Sequence, residues 1–153
     1  MAAPQAPAYA YLGTSPFAVE VLDRLVDHGA RPALVVTPPD RPRGRGRKLA
    51  PPPVATRARE LGLPLLQAAD INEPESRRAL AEAGGLAMVC AFGQIVREPL
   101  LSDVELLNVH PSLLPRWRGA APIERALMAG DERTGVAIIR LVAELDAGPV
   151  ALA

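Results

Sequence analysis

Three side chains in this sequence combine types that could do acid–base and acyl-transfer chemistry. Asn108 and His110 close the apolar run Leu106–His110, and Asp146 lies in Glu144-Leu145-Asp146-Ala147-Gly148 after a second apolar run. Residues i and i+2 of a strand share a face. Asn108 and His110 therefore project together while Val109 turns toward the core. An amide donor beside an imidazole suits acyl transfer. The amide can hydrogen-bond an oxygen as it becomes an oxyanion, and loss of such a donor costs about 10²–10³ in rate. The imidazole can move the nucleophile's proton near neutral pH. A carboxylate beside it would hold one tautomer and compensate the charged ring. Spacing alone also admits blander readings: a polar strand end bonded locally for Asn108 and His110, and a turn Asp before Gly for Asp146.

Other combinations carry less. Ser112 with His110 and Asp146 has the residue types of a hydrolase triad, but no GxSxG elbow surrounds the serine. Gly44 and Gly46 begin a GxGxxG spacing that Leu49 breaks, and no Walker A motif exists. Cys90 is the only cysteine, which excludes an intrachain disulfide and argues against the usual Cys/His zinc site. It sits inside an apolar run and reads as a small core residue. His28 closes a helix, where an imidazolium favours the dipole.

The elements that must position these residues follow from punctuation and periodicity. Tyr9–Leu12, Ala33–Thr37, Leu63–Gln67, Leu86–Ala91, Leu106–His110 and Val136–Val142 read as strands. Helices are expected from Ser15 to Gly29, over Val54–Leu61, Pro74–Ala83 and Pro122–Ala129, and as a short piece over Gln94–Leu101. Pro38–Pro53 carries six of the 17 prolines and reads as a loop without regular structure. Strands alternating with helices, several apolar on both faces, mean α/β with a largely parallel sheet flanked by helices. Parallel topology would bring the loop bearing Asp146 to the sheet edge of His110. Nothing is expected to cover Val136–Val142, so the sheet looks unfinished at its C-terminal end.

Length and composition suit one globular domain: 153 residues, 49% hydrophobic, 22% charged, formal net charge +0. The zero hides an asymmetry. Residues 31–60 hold Arg31, Arg41, Arg43, Arg45, Arg47, Lys48, Arg57 and Arg59 against only Asp40 and Glu60, and the remainder is acidic. The N-terminus lacks the pattern of a signal peptide, and no stretch reaches the length of a membrane span, so a cytoplasmic location is expected.

Longer motifs add a resemblance. The run from Asn108 to Ile123, NVHPSLLPRWRGAAPI, is similar to the signature of the methionyl-tRNA formyltransferase family. Gly13–Val19, the basic segment Pro39–Leu49, Ala91–Ile95 and Gly130–Val136 resemble further parts of it. The resemblance implies a Rossmann-like formyltransferase fold. It also implies transfer of a formyl group from 10-formyltetrahydrofolate to the methionine amino group of initiator methionyl-tRNA, without a metal. Carried over residue by residue, it makes Asn108, His110 and Asp146 catalytic. It places Ser112, Leu113, Leu114 and Pro115 against the folate. It directs Arg41, Arg43, Arg45, Arg47 and Lys48 to the tRNA acceptor end, with Arg41 foremost. Residues 1–153 are then expected to form part of the catalytic domain, with a C-terminal tRNA-binding domain absent and the full-length form monomeric. Sugar-amine and glycinamide ribonucleotide formyltransferases share the N-x-H…D site, but the basic segment and RWRGAAPI favour the tRNA enzyme. A non-catalytic fragment that binds RNA through five positive charges in eight residues is the other reading.

Overall fold

In the computed structural model, which describes residues 7–153, the apolar runs bounded by Gly and Pro become strands and the segments between them mostly helices. In chain order these are β1 (Ala10–Gly13), α1 (Pro16–Asp27), β2 (Leu34–Thr37), β3 (Arg41–Arg43), β4 (Lys48–Ala50), α2 (Pro53–Glu60) and β5 (Leu65–Gln67). Then come α3 (Pro74–Glu82), β6 (Leu86–Cys90), α4 (Leu100–Asp103), β7 (Glu105–His110), α5 (Pro122–Met128), β8 (Ala137–Arg140) and β9 (Val150–Leu152). α1 starts as its residues dictate. The Ser15 hydroxyl accepts from the Ala18 N–H at 3.3 Å, Pro16 occupies the first turn, and the helix stops before Gly29.

Seven strands form one sheet in the order β5-β2-β1-β6-β7-β8-β9. The five from β5 to β7 are parallel. Two apolar layers hold it. Leu12, Val36, Leu106, Leu80 of α3 and Leu100 of α4 pack on one face, and Tyr11, Val35, Val109, Leu22 of α1 and Val54 of α2 pack on the other. β1 sends its connections to β2 on one side and has β6 on the other. That reversal opens a crevice beyond the carboxyl ends of the strands, the usual ligand position in such sheets.

Three sequence expectations are corrected. Pro38–Pro53 is not wholly irregular: β3 and β4 pair antiparallel as a small hairpin, Arg41 opposite Ala50 and Arg43 opposite Lys48. A two-stranded ribbon has open edges, so Pro42, which lacks an N–H, is tolerated within it. The helix expected over Gln94–Leu101 is confined to α4, Leu100–Asp103. Pro99 disfavours helical backbone at Glu98, and the Gln94 amide is spent bridging the Ala68 carbonyl at 2.9 Å and the Ile71 N–H at 2.7 Å. Finally, β8 runs antiparallel to β7 and pairs on its other edge with the exposed strand β9, where no further strand was expected; among the described residues no helix follows to cover Val136–Val142. The chain re-enters the sheet beside His110, Ala137 pairing with it, and a strand that starts there can only run back down.

Candidate active site

β7 supplies two of the three expected catalytic residues. Leu106 and Val109 anchor its two faces in the two apolar layers. Asn108 and His110 project on the Leu106 side, as the period of two requires. His110 is 5% exposed and Asn108 half-buried.

Asp146, 8% exposed, meets both. The Asn108 Nδ2 group donates to Asp146 Oδ1 at 3.4 Å, and Asp146 Oδ2 lies 3.6 Å from His110 Nδ1. The Gly119 N–H donates to the same Oδ2 at 2.7 Å. The meeting was expected, but the expected route was not. Because β8 is antiparallel, its carboxyl end points away from His110. The segment 141–149 instead returns across the sheet face that carries Asn108 and His110, and Asp146 takes a left-handed φ of 47° there. The seat is tight at Gly148, where any Cβ would collide with the Arg140 carbonyl oxygen.

The other ring nitrogen of His110 faces the loop after β7. Nε2 is 2.9 Å from the Trp117 carbonyl oxygen. A carbonyl only accepts, so Nε2 carries a hydrogen; Nδ1 faces the Asp146 carboxylate, which favours the charged ring once a proton arrives there. The site thus combines an amide donor, an imidazole with a defined proton, and a carboxylate that touches both. These are the parts needed to stabilise an oxyanion and relay a proton.

The stretch Ser112–Pro115 borders this site. The Ser112 hydroxyl is buried and donates to the Arg116 carbonyl at 2.6 Å, bracing its own loop; no hydrolase triad forms. Leu113 is 44% exposed and packs over Gly135, whose missing Cβ leaves room for it; Leu114 is half-buried and Pro115 exposed.

The basic residues lie on the β3–β4 hairpin, apart from the Asn–His–Asp group. Arg41, Arg45, Arg47 and Lys48 are exposed, and Arg43 lies in β3. Arg41 also lines a cavity of about 160 Å³ with Thr14, Pro38, Pro39, Phe92 and Gly93. The cavity sits at the carboxyl ends of β1, β2 and β6. β6 neighbours β7, so it opens beside the strand end that carries His110.

Sequence reasoning gave no role to Trp117, Asp131, Gly119 or Gly148. Asp131 accepts two bonds from Arg116, at 2.8 and 2.6 Å, and one from the Trp117 Nε1–H at 2.6 Å. Arg116 first, then Trp117, hold its carboxyl down at about 2. No spacing rule links these residues; only the unusual Arg-Trp-Arg-Gly string beside the site hinted at them. Cys90 is buried with its thiol pushed up to about 11 by burial, as a core residue. His28 closes α1, its Nδ1 2.8 Å from the Arg24 carbonyl oxygen. Among the described residues, no helix is long and apolar enough to cross a membrane.

A Rossmann-like sheet brings an amide, an imidazole and a carboxylate together on one face of an α/β protein. The chain belongs to the formyl transferase family, whose pattern matches residues 8–153. It is 50% identical over 142 residues to the methionyl-tRNA formyltransferase of Halorhodospira halophila, covering 92% of this chain and 46% of that protein. It is 47% identical over 145 residues to the methionyl-tRNA formyltransferase of Thermotoga maritima, covering 93% and 46%. The chain thus spans about half the length of the curated relatives it matches. Among solved structures, phosphoribosylglycinamide formyltransferase from Streptococcus pneumoniae superposes with a TM-score of 0.74 at 22% identity, covering 95% of this chain and 79% of that one. That likeness concerns the fold.

Proposed function

We propose that residues 1–153 form part of the catalytic domain of a methionyl-tRNA formyltransferase, with 10-formyltetrahydrofolate as donor and initiator methionyl-tRNA as acceptor. The observation that carries the reading is the Asp146 carboxylate held between the Asn108 amide and the His110 imidazole. The donor set fits a formyl donor: the developing charge sits on one oxygen, and a neutral amide and an imidazole are the groups to meet it.

In this reading Asn108 donates to the formyl oxygen as the amine nitrogen bonds to the formyl carbon. His110 accepts the proton that the amine loses, and Asp146 compensates the charged ring. Breaking the bond from the formyl carbon to the folate nitrogen requires that proton on the leaving nitrogen, and His110 returns it. Ser112–Pro115 forms the wall against which the donor lies. The β3–β4 hairpin carries Arg41, Arg43, Arg45, Arg47 and Lys48 to the acceptor end of the tRNA, and the cavity beside Arg41 and Phe92 admits the aminoacyl end. The basic hairpin supports a nucleic-acid acceptor over a sugar amine or glycinamide ribonucleotide.

The test is single-turnover formylation with 10-formyltetrahydrofolate and charged initiator tRNA. Formyl-methionyl-tRNA is the expected product. Transfer only to a sugar amine or to glycinamide ribonucleotide would replace the acceptor, and salt-dependent tRNA binding without folate binding or transfer would replace catalysis by RNA binding.

A further inference from the structure

We propose that Trp117 and Asp131 are positioning residues that fix the proton of His110: they hold the Trp117 main-chain carbonyl against His110 Nε2, so that Nδ1, on the Asp146 side, is the nitrogen that accepts the substrate's proton. The inference deepens the function proposed above and rests on that reading for the substrate's identity only.

The backbone gives the first indication. Trp117 sits at φ 63°, a left-handed conformation that bulky residues rarely adopt and that persists only where surroundings enforce it. The surroundings here do so from three sides. The indole Nε1–H donates to Asp131, which is also gripped by both arms of Arg116. The Arg116 and Arg125 guanidinium groups lie over the indole ring, 4.3 and 4.9 Å from its centroid. Arg125 also donates to the Arg118 carbonyl at 2.8 Å, tying the next residue of the loop to α5. Asp131 is only 14% exposed, so its bonds are shielded from competing water.

The consequence is chemical. With the indole ring locked, the Trp117 carbonyl is aimed at His110 Nε2, at 2.9 Å. Two residues on, the Gly119 N–H holds Asp146 Oδ2. One three-residue stretch, Trp117–Gly119, therefore orients the imidazole from one side and the carboxylate from the other. A ring free to exchange tautomers would spend part of its time with Nδ1 protonated and unable to accept. Asp131 bonds Arg116 and Trp117, not His110 or Asp146, and its effect passes through Trp117.

The chain contains only two histidines, His28 and His110, so ring ¹⁵N shifts and two-bond couplings report each tautomer, with His28→Gln to assign the second set. The wild type is expected to hold His110 as the Nε2–H tautomer. Trp117→Phe, which keeps a ring but removes the indole donor, and Asp131→Asn are expected to give a tautomer mixture. They should also lower kcat between about ten- and a hundred-fold, with KM for folate nearly unchanged, the scale of a misplaced catalytic group. Asp131→Glu should restore part of both. An Nδ1–H tautomer in the wild type, or an unchanged tautomer in the folded Trp117→Phe variant, would overturn the proposal; if Asp131→Asn does not fold, Trp117→Phe still decides. A tautomer that responds as expected in a chain that transfers no formyl group upholds the clamp and sinks the proposed function. Transfer with an unresponsive tautomer does the reverse.

Discussion

The Cβ that Gly148 lacks would collide with the carbonyl oxygen of Arg140. The Arg140 N–H also donates to the Pro149 carbonyl at 3.0 Å, so the returning segment lies directly on the end of β8. Asp146 is two residues before that contact and depends on it for its place beside His110. Gly148→Ala is therefore expected to cost at least the ~1–3 kcal/mol typical of overpacking. It should also lower formyl transfer by shifting Asp146. Chemical denaturation and single-turnover assays check both, and an unchanged midpoint and rate would show that the segment has slack.

His110→Ala is expected to abolish formyl transfer while folate affinity changes little. The ring acts on a proton during the chemical step and need not hold the ground state. Equilibrium folate binding beside single-turnover kinetics separates the two. Near-normal turnover would remove His110 from the mechanism.

Asn108→Ala should lower the chemical rate by about 10²–10³, the loss expected for one oxyanion donor. Its amide contact with Asp146 is long, at 3.4 Å, so little stability should go with it. A KM effect at constant kcat would make Asn108 a binding residue instead.

Replacing Arg41, Arg43, Arg45 and Arg47 with Ala should weaken tRNA binding and flatten its salt dependence. Each lost phosphate contact reduces the slope of log K against log salt by about 0.7–0.9. Arg41 alone should cost most, because it both rides the hairpin and lines the cavity next to Phe92. Folate binding should stay constant, since the hairpin and Ser112–Pro115 are separate segments. Unchanged affinity and slope would leave the hairpin as a solvated charge run.

Asp131 gives a pH signature. Arg116 and Trp117 depress its carboxyl from an ordinary 3.8 to about 2 in the folded chain. A depressed carboxyl stabilises above its unfolded value and loses that contribution as pH falls through the folded one. The stability difference between wild type and Asp131→Asn should thus be full near neutral pH, shrink below about 4 and close near 2. Denaturation midpoints across that range check it, and a gap independent of pH would mean that the pair contributes nothing through charge.

The sequence by itself determined what is local. Period-two alternation put Asn108 and His110 on one face of β7 and Val109 on the other, and apolar runs between Gly and Pro stops marked the strands of a mainly parallel sheet. Buried Cys90 and the Ser15 cap of α1 were legible for the same reason: each depends on neighbours a few residues away. The tertiary structure alone decided partners across long separations. Asp146 reaches Asn108 over 38 residues, by a return across the sheet face that the antiparallel sense of β8 imposes and that periodicity does not encode. The short β3–β4 hairpin was hidden by its prolines and charges, because exposed two-stranded pairing needs no apolar face to announce it. The Trp117–Asp131 grip was hidden because side-chain bonds between loops leave no periodic trace. Spacing fixes which way a side chain points, whereas strand direction and loop closure, set by packing of the whole domain, fix what it meets.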